Sequence, residues 1–293
     1  MSIQNKYSVG SKWDVSLMVS VEQLQADIEK IKTLDVSNEG LFGAVTDLFN
    51  KTFNTLRLTA QSLFSTDKVN SKNLMLDTAR LNRLDKNKLS RNYAAMLDLD
   101  VDIPPGMAVD YETYIRQSFE VSKSLKDVIS QVAQLRIDIG RVISTDKGLT
   151  DSTLFSDMNY IRQADLINKE LKTLSTMKKP NDFNAVAKYG DVFNSGIDIY
   201  SVVKLAEDNS DLINSIDRKK LLNEVDTAVQ YVRDLSEMVK DGYSKPMIAK
   251  IANATTKVAE IVEAFSVCVY NAEIITTALN SAINTAEEFL KGK

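Results

Sequence analysis

Apolar residues recur at steps of three and four over the last fifty residues of the chain. Thirteen positions follow this spacing and eleven of them are apolar. Such a sustained heptad pattern is typical of a long α-helix that packs along one stripe. No Pro or Gly lies between Pro246 and Gly292, so we predict one helix over about 245–290, with a length of about 70 Å. The positions are Ile248, Ile251, Thr255, Val258, Val262, Phe265, Val269, Ala272, Thr276, Leu279, Ile283, Ala286 and Leu290.

A second long, heptad-patterned helix is predicted over about 110–147. Asp110 suits its N-cap and Gly148 the glycine that follows a helix. Shorter helices are predicted from Thr150 to Lys178 and from Asn181 onward. We expect the helix to be interrupted at the polar run 208–210, and a further helix to follow over 217–240.

Two stretches alternate apolar and polar residues with a period of two, which indicates half-buried strands. They cover about 13–20 and 97–103, and the second stops at Pro104-Pro105-Gly106. The two strands can pair with each other as a small antiparallel ribbon. Either can instead add to a sheet in a neighbouring subunit, because a lone two-stranded ribbon is marginally stable.

The predicted fold class is therefore all-α. We expect an elongated antiparallel helical bundle with long helices at about 110–147 and 245–290, plus a minor two-stranded β element at about 13–20 and 97–103. The predicted domains are 1–109, with an N-terminal arm, helices and the ribbon, and 110–293, with the long helices.

The apolar positions of the two strands are the candidate contacts with other protein subunits, including copies of this chain. Trp13 is the single Trp of the chain and follows a polar arm. Both a core role and an intersubunit role suit it. The candidate partner-interface residues are Trp13, Val15, Leu17, Val19, Leu99, Val101 and Ile103.

Catalytic chemistry has little support in the sequence. The chain has no His and a single Cys, Cys268, which we interpret as a small buried hydrophobe. Glycine-rich phosphate loops are absent. The Asp98-x-Asp100-x-Asp102 run resembles the start of a calcium loop, but Ile103 and Val109 stand where Gly and Glu are needed. We predict a protein that is not an enzyme, with no catalytic, metal or cofactor site, and a solvated acidic strand face.

Charge and hydropathy limit the partners further. The net charge is −4, which gives no general attraction to nucleic acid. The only basic stripe, with Arg80, Arg83 and Arg91, is weak, and no nucleic acid is expected. The stretch 264–286 is too polar to predict a membrane span. The N-terminus lacks the pattern of a signal peptide, so we expect a virion or cytoplasmic location.

These patterns favour a structural component of a large multi-subunit assembly. The composition is rich in Asn, Ser, Asp and Lys, without His and with one Cys. We interpret this as favouring a bacteriophage virion protein, an interpretation that rests on composition and on no motif. Two alternatives stay open at this point: a membrane-active helical bundle that extrudes residues 264–286, and a cytoplasmic helical scaffold or adaptor.

Overall fold

A computed structural model describes residues 94–144, 159–177, 185–193, 199–238 and 245–292. This part of the chain forms two strands and seven helices of four residues or more with defined bounds. In chain order they are β1 Asp100–Ile103, α1 Tyr111–Ser124, α2 Val128–Ser144, α3 Asn159–Thr176, β2 Ala185–Lys188, α4 Tyr189–Val192, α5 Ile199–Ser215, α6 Arg218–Met238 and α7 Lys245–Gly292.

The prediction of a mostly helical protein is confirmed. The described residues are 84% helical, with one small two-stranded antiparallel sheet. The helices pack as a bundle around shared apolar clusters. The predicted strand 13–20, with Trp13, Val15, Leu17 and Val19, lies outside the described residues, as does the basic stripe of Arg80, Arg83 and Arg91.

The helix α7 runs without interruption for 48 residues, which corresponds to about 72 Å at 1.5 Å per residue. The helices α1, α2, α3 and α5 and the strand β1 all pack against it. The predicted seam is buried from Ile251 onward, but so are Ile261, Ile274 and Ile275, which lie off it. Because burial extends to several faces, α7 is the centre of the bundle, and its heptad seam stays a prediction.

The prediction of a single helix over 110–147 is wrong, because the helix is interrupted at 125–127, between α1 and α2. The break contains neither Gly nor Pro. Here Val128 N–H donates to the carbonyl of Leu125 at 2.9 Å, so it does not reach back to Ser124. The Ser124 carbonyl instead accepts a 2.6 Å hydrogen bond from Nε2 of Gln163 on α3. A side chain from another helix thus satisfies the interrupted ladder.

Contacts between helices set their directions. Asn168 and Asp165 of α3 contact Glu260 and Lys257 of α7 in the same chain order, so these two helices run parallel. In the same way, Arg136 of α2 bonds Glu224 of α6, and Gly140 lies against the Tyr231 ring. The helices α2 and α6 therefore also run parallel, and the prediction of an antiparallel bundle is wrong for these two pairs.

The ribbon forms between β1 and β2, in antiparallel register with Asp100 opposite Lys188 and Ile103 opposite Ala185. The strand β2 lies where the sequence predicts a helix from Asn181 onward, so that part of the prediction is wrong. Its four residues, Ala-Val-Ala-Lys, are too few for a clear period-two pattern. The strand is specified by its partner across the ribbon, since the N–H of Tyr189 also donates to the Leu99 carbonyl at 2.8 Å.

A type II turn connects β1 to α1. Gly106 has a φ of 90° and follows Pro105, while Met107 N–H donates to the Pro104 carbonyl at 3.0 Å. Only glycine adopts this positive φ without strain. The predicted cap is confirmed, because the Asp110 side chain accepts a hydrogen bond from the N–H of Thr113.

Buried apolar residues form two clusters. The first, the ribbon cluster, joins β1, the start of α1, the start of α5 and the last part of α7. The second, the helical cluster, joins the rest of α1, α5 and α7 with α2, α6 and most of the buried part of α3. Residues 94–109 therefore share the ribbon cluster with residues assigned to the second predicted domain. The remainder of 1–109 lies outside the described residues, and the boundary at 109 stays a prediction.

Candidate functional site

The described candidate partner residues lie on the inner side of the ribbon. The side chain of Val101 has no exposed surface, and Ile103 is 3% exposed. Leu99 is partly buried against the same ribbon cluster. In this conformation these side chains pack in the core of their own chain, so the accessible surface of β1 is its other face. Their predicted role as partner contacts is not tested by the described contacts.

The outer face of the ribbon is polar. Asp100 and Asp102 are exposed, as predicted for a solvated strand face. Lys188 of β2 donates a 2.6 Å hydrogen bond to Oδ1 of Asp100 and a 2.9 Å hydrogen bond to the carbonyl of Asp98. The hydrogen bond to Asp100 raises the pKa of Lys188. The outer face thus carries two exposed carboxylates and one paired lysine, with Val186 beside them, 53% exposed.

A band of polar residues crosses the interior between the two apolar clusters. We call Ser118 of α1, Asn209 and Ser210 of α5, and Asn271 of α7 the polar layer. All four are buried, with between 0 and 5% exposure. The sequence predicts that the helix is interrupted at 208–210, because Asp, Asn and Ser are typical of loops. Instead α5 continues through this run to Ser215, and Asp217 then caps α6 through the N–H of Lys220.

Several atoms of the polar layer have no hydrogen-bond partner in the part of the chain that the structure describes. They are Oγ of Ser118, both polar side-chain atoms of Asn209, and Nδ2 of Asn271. Others are paired: Ser210 Oγ donates to the carbonyl of Ala206 at 3.0 Å. A buried polar group without a partner lowers stability, and natural proteins keep few of them. These four atoms therefore lower the stability of the described interior.

The cysteine lies next to the polar layer. Cys268 is fully buried on α7, which confirms its interpretation as a small interior residue. Burial raises the pKa of its thiol to about 12, although a hydrogen bond with Ser122 opposes the shift. At neutral pH it is a protonated thiol, and only a thiolate is a good nucleophile.

A charged group joins α3 to α7 beside the helical cluster. Nζ of Lys257 lies 3.0 Å from both Glu260 Oε2 and Asp165 Oδ1. Glu260 also accepts a 2.7 Å hydrogen bond from Asn168. Burial alone would lower the pKa of Lys257, but the carboxylate of Glu260 and the hydrogen bonds raise it above its usual value. The ammonium is thus held charged, as in a structural ion pair.

The described residues offer few other chemical groups in close proximity. Within 94–144, 159–177, 185–193, 199–238 and 245–292, no three His, Cys, Asp or Glu side chains are placed to hold a metal ion. Over the same ranges, no helix has the length and apolar character that crossing a membrane requires. These residues form polar contacts between helices in the polar layer and in the charged group, and they form the polar outer face of the ribbon.

Comparison of the chain with models of protein families, with curated proteins and with solved structures gave no match. Its function is therefore argued from its own residues.

Sequence reasoning did not identify the polar layer as an interior feature. One signal could have found it. Ala206 and Ile213 flank Asn209 and Ser210 at helical spacing, so the apolar stripe resumes in phase after the polar run. If the helix ended at 208–210, the apolar residues after this run would not need to continue at the same helical spacing.

Proposed function

We propose that this protein is a non-enzymatic structural component of a multi-subunit assembly, with a bacteriophage virion as the preferred setting. The observation that carries the proposal is α7. One uninterrupted helix of 48 residues, about 72 Å long, is covered by other parts of the same chain over most of its length. Such a helix is a stiff strut, and its length is a property that an assembly can use to set a spacing.

The contacts of α7 support this role. It packs against four helices and a strand, so its surface is largely occupied within the chain. An isolated heptad helix that dimerises keeps polar residues on its outer positions, whereas α7 buries apolar residues on several faces. The proposal requires an elongated bundle, and two observations support one: the length of α7 and the α2–α6 pair, which shares the helical cluster with the first part of α7.

The partner contacts are assigned to other parts of the chain. Three large apolar side chains are at least 40% exposed among the described residues: Ile137, Leu166 and Val186, on three different elements. These single residues are too dispersed to form an apolar docking patch. The period-two stretch that contains Trp13 is therefore the preferred contact, and its proposed partners are neighbouring subunits, including copies of this chain.

The test compares the full chain with a variant that lacks residues 1–21, by size-exclusion chromatography with light scattering and by far-UV circular dichroism. The full chain is expected to form species with masses that are multiples of 32.7 kDa, and the variant to remain helical and monomeric. A matched control that lacks only residues 1–11 keeps the period-two stretch and should assemble. Unchanged assembly of the 1–21 deletion contradicts the role of this stretch.

A second measurement addresses the assembly role itself. Native mass spectrometry of the complex isolated with this protein is expected to show it bound to other protein subunits. A full chain that stays monomeric at all concentrations and is isolated without protein partners contradicts the proposed function. Leakage from liposomes on addition of the purified chain would instead favour the membrane-active alternative.

A further inference from the structure

The polar layer separates the two apolar clusters on α1 and on α5. On α1, Ile115 belongs to the ribbon cluster and Val121 to the helical cluster, with Ser118 between them. On α5, Ala206 belongs to the ribbon cluster and Ile213 to the helical cluster, with Asn209 and Ser210 between them. The same change therefore occurs on two neighbouring helices that pack together.

The division continues on the two remaining helices that pass from one cluster to the other. On α7, Ala272 is the last described member of the helical cluster and Ile274 the first of the ribbon cluster. On α3, Leu171 belongs to the helical cluster and Leu174 to the ribbon cluster. Four helices thus cross the boundary plane between the clusters, and three of them place a buried polar residue in it or within one turn of it.

The energetics of this plane differ from those on either side. Apolar contact is the main force that makes neighbouring segments unfold together. On three of the four helices that contact is interrupted in the plane by atoms of Ser118, Asn209 and Asn271 that lack partners among the described residues. Apolar contact therefore couples the two clusters less strongly in this plane than it couples the residues within each cluster.

The two clusters also differ in strength. The ribbon cluster contains two strands of four residues each, and a two-stranded ribbon is marginal by itself. It also contains the C-terminal end of α7, where a helix frays. The helical cluster contains the long α2–α6 pair and the middle of α7.

We propose that the polar layer is an opening plane, at which the ribbon cluster opens as one cooperative unit while the helical cluster stays folded. Opening exposes the inner face of β1, with Val101 and Ile103, which is buried in the closed fold. The inference concerns the folded chain alone and does not depend on the proposed assembly role.

Hydrogen exchange followed by mass spectrometry tests this on the full chain, over a series of low denaturant concentrations. Residues 100–103 and 274–286 are expected to exchange with one shared opening constant and one shared denaturant dependence, although they are far apart in the chain. Residues 128–142 and 256–270 are expected to exchange at least about tenfold more slowly. Equal protection of 274–286 and 256–270 overturns the proposal, and so does a ribbon that opens independently of 274–286.

A variant tests whether the polar layer is the cause. Ser118→Ala combined with Asn209→Leu removes three of the atoms without partners and adds apolar contact across the plane. It is expected to reduce the difference in exchange between 274–286 and 256–270 by at least about threefold. Ser210→Ala is the matched control, because that hydroxyl already donates to the Ala206 carbonyl, and it should leave the difference intact. An unchanged difference in a folded double variant overturns the role of the layer. If the double variant does not fold, the exchange pattern of the natural chain decides.

Discussion

The hydroxyl of Tyr114 on α1 donates a 3.0 Å hydrogen bond to Oδ1 of Asn271 on α7, and the two residues are 157 positions apart in the chain. Both side chains are buried, with exposures of 1% and 5%. Burial raises the pKa of the Tyr114 phenol, with a smaller contribution from Tyr270, so the hydroxyl stays a donor at neutral pH. The bond fixes the level of α1 on the central helix, at the edge of the polar layer.

Tyr114→Phe is expected to lower the free energy of unfolding by about 1–2 kcal/mol. The ring remains in place, but Oδ1 of Asn271 loses its donor while still buried. Urea unfolding followed by circular dichroism measures the change. Adding Asn271→Leu to the variant should recover part of the loss, because the polar group that lost its partner is then removed. Equal midpoints for Tyr114→Phe and the natural chain contradict this account.

Two serines one turn apart on α1 form a matched pair. Ser118 Oγ has no partner among the described residues, whereas Ser122 Oγ donates to the Ser118 carbonyl at 3.0 Å. Both are buried, and both gain equally in helix propensity on replacement by Ala. Ser118→Ala should therefore be more stable than Ser122→Ala by about 1 kcal/mol. Thermal unfolding of the two variants measures the difference, and the opposite order would show that Ser118 has a partner in solution.

The helix α7 could be predicted because its pattern is local. A run without Pro or Gly from Met247 to Lys291, with apolar residues at helical spacing, leaves few other structures open to it. The cap at Asp110 and the turn at Gly106 were also predictable, since each depends on the side chain or backbone freedom of one residue. Features of this kind are determined by residues that are close together in the sequence.

The errors occurred where a distant residue decides the local structure. The helix break at 125–127 depends on Gln163 of α3, because its Nε2 donates a hydrogen bond to the carbonyl of Ser124. The strand β2 depends on its pairing with β1, in which Ala187 lies opposite Val101, 86 positions earlier in the chain, and not on its own composition. Tertiary contacts override weak local preferences in both cases.

The candidate site was predicted less well than the fold. The period-two pattern correctly identifies β1 and its polar outer face, but it does not say which molecule covers the apolar face. Val101 and Ile103 are covered by their own chain. The sequence predicts a helix break at 208–210, because it shows the polarity of Asn209 and Ser210 but not their burial.

Lys257→Met should lower the free energy of unfolding by about 2–4 kcal/mol, because the carboxylate of Glu260 remains buried without its lysine. The value lies below that for a fully buried pair, since the Lys257 side chain keeps 17% exposure and Asp165 keeps 64%. Chemical unfolding at neutral pH measures it. Lys204→Met is the matched control: it breaks an exposed pair with Asp208 on α5 and should change little. Equal effects of the two variants would contradict a special role for the Lys257 group.

Asp138 of α2 gives a prediction with a defined pH dependence. Burial raises the pKa of its carboxyl above the ordinary 3.8, although Gln134 donates a 2.9 Å hydrogen bond to it and Arg141 lies 3.5 Å away. A raised carboxyl pKa means that the folded chain binds the proton more tightly than the unfolded chain. Stability is therefore lost as the pH rises from the unfolded pKa through the folded one.

Asp138→Asn removes this titration. Relative to the variant, the natural chain should lose stability as the pH rises through the window that starts near 3.8 and then keep a constant difference at higher pH. Urea unfolding of both proteins from pH 3.5 upward measures the difference. Asp234→Asn is a suitable control, because Asp234 accepts an exposed hydrogen bond from Gln230 at the same spacing on α6. The opposite result is a natural chain that gains stability relative to Asp138→Asn as the pH rises over this window. It would mean that the contacts of Asp138 with Gln134 and Arg141 outweigh the cost of its burial.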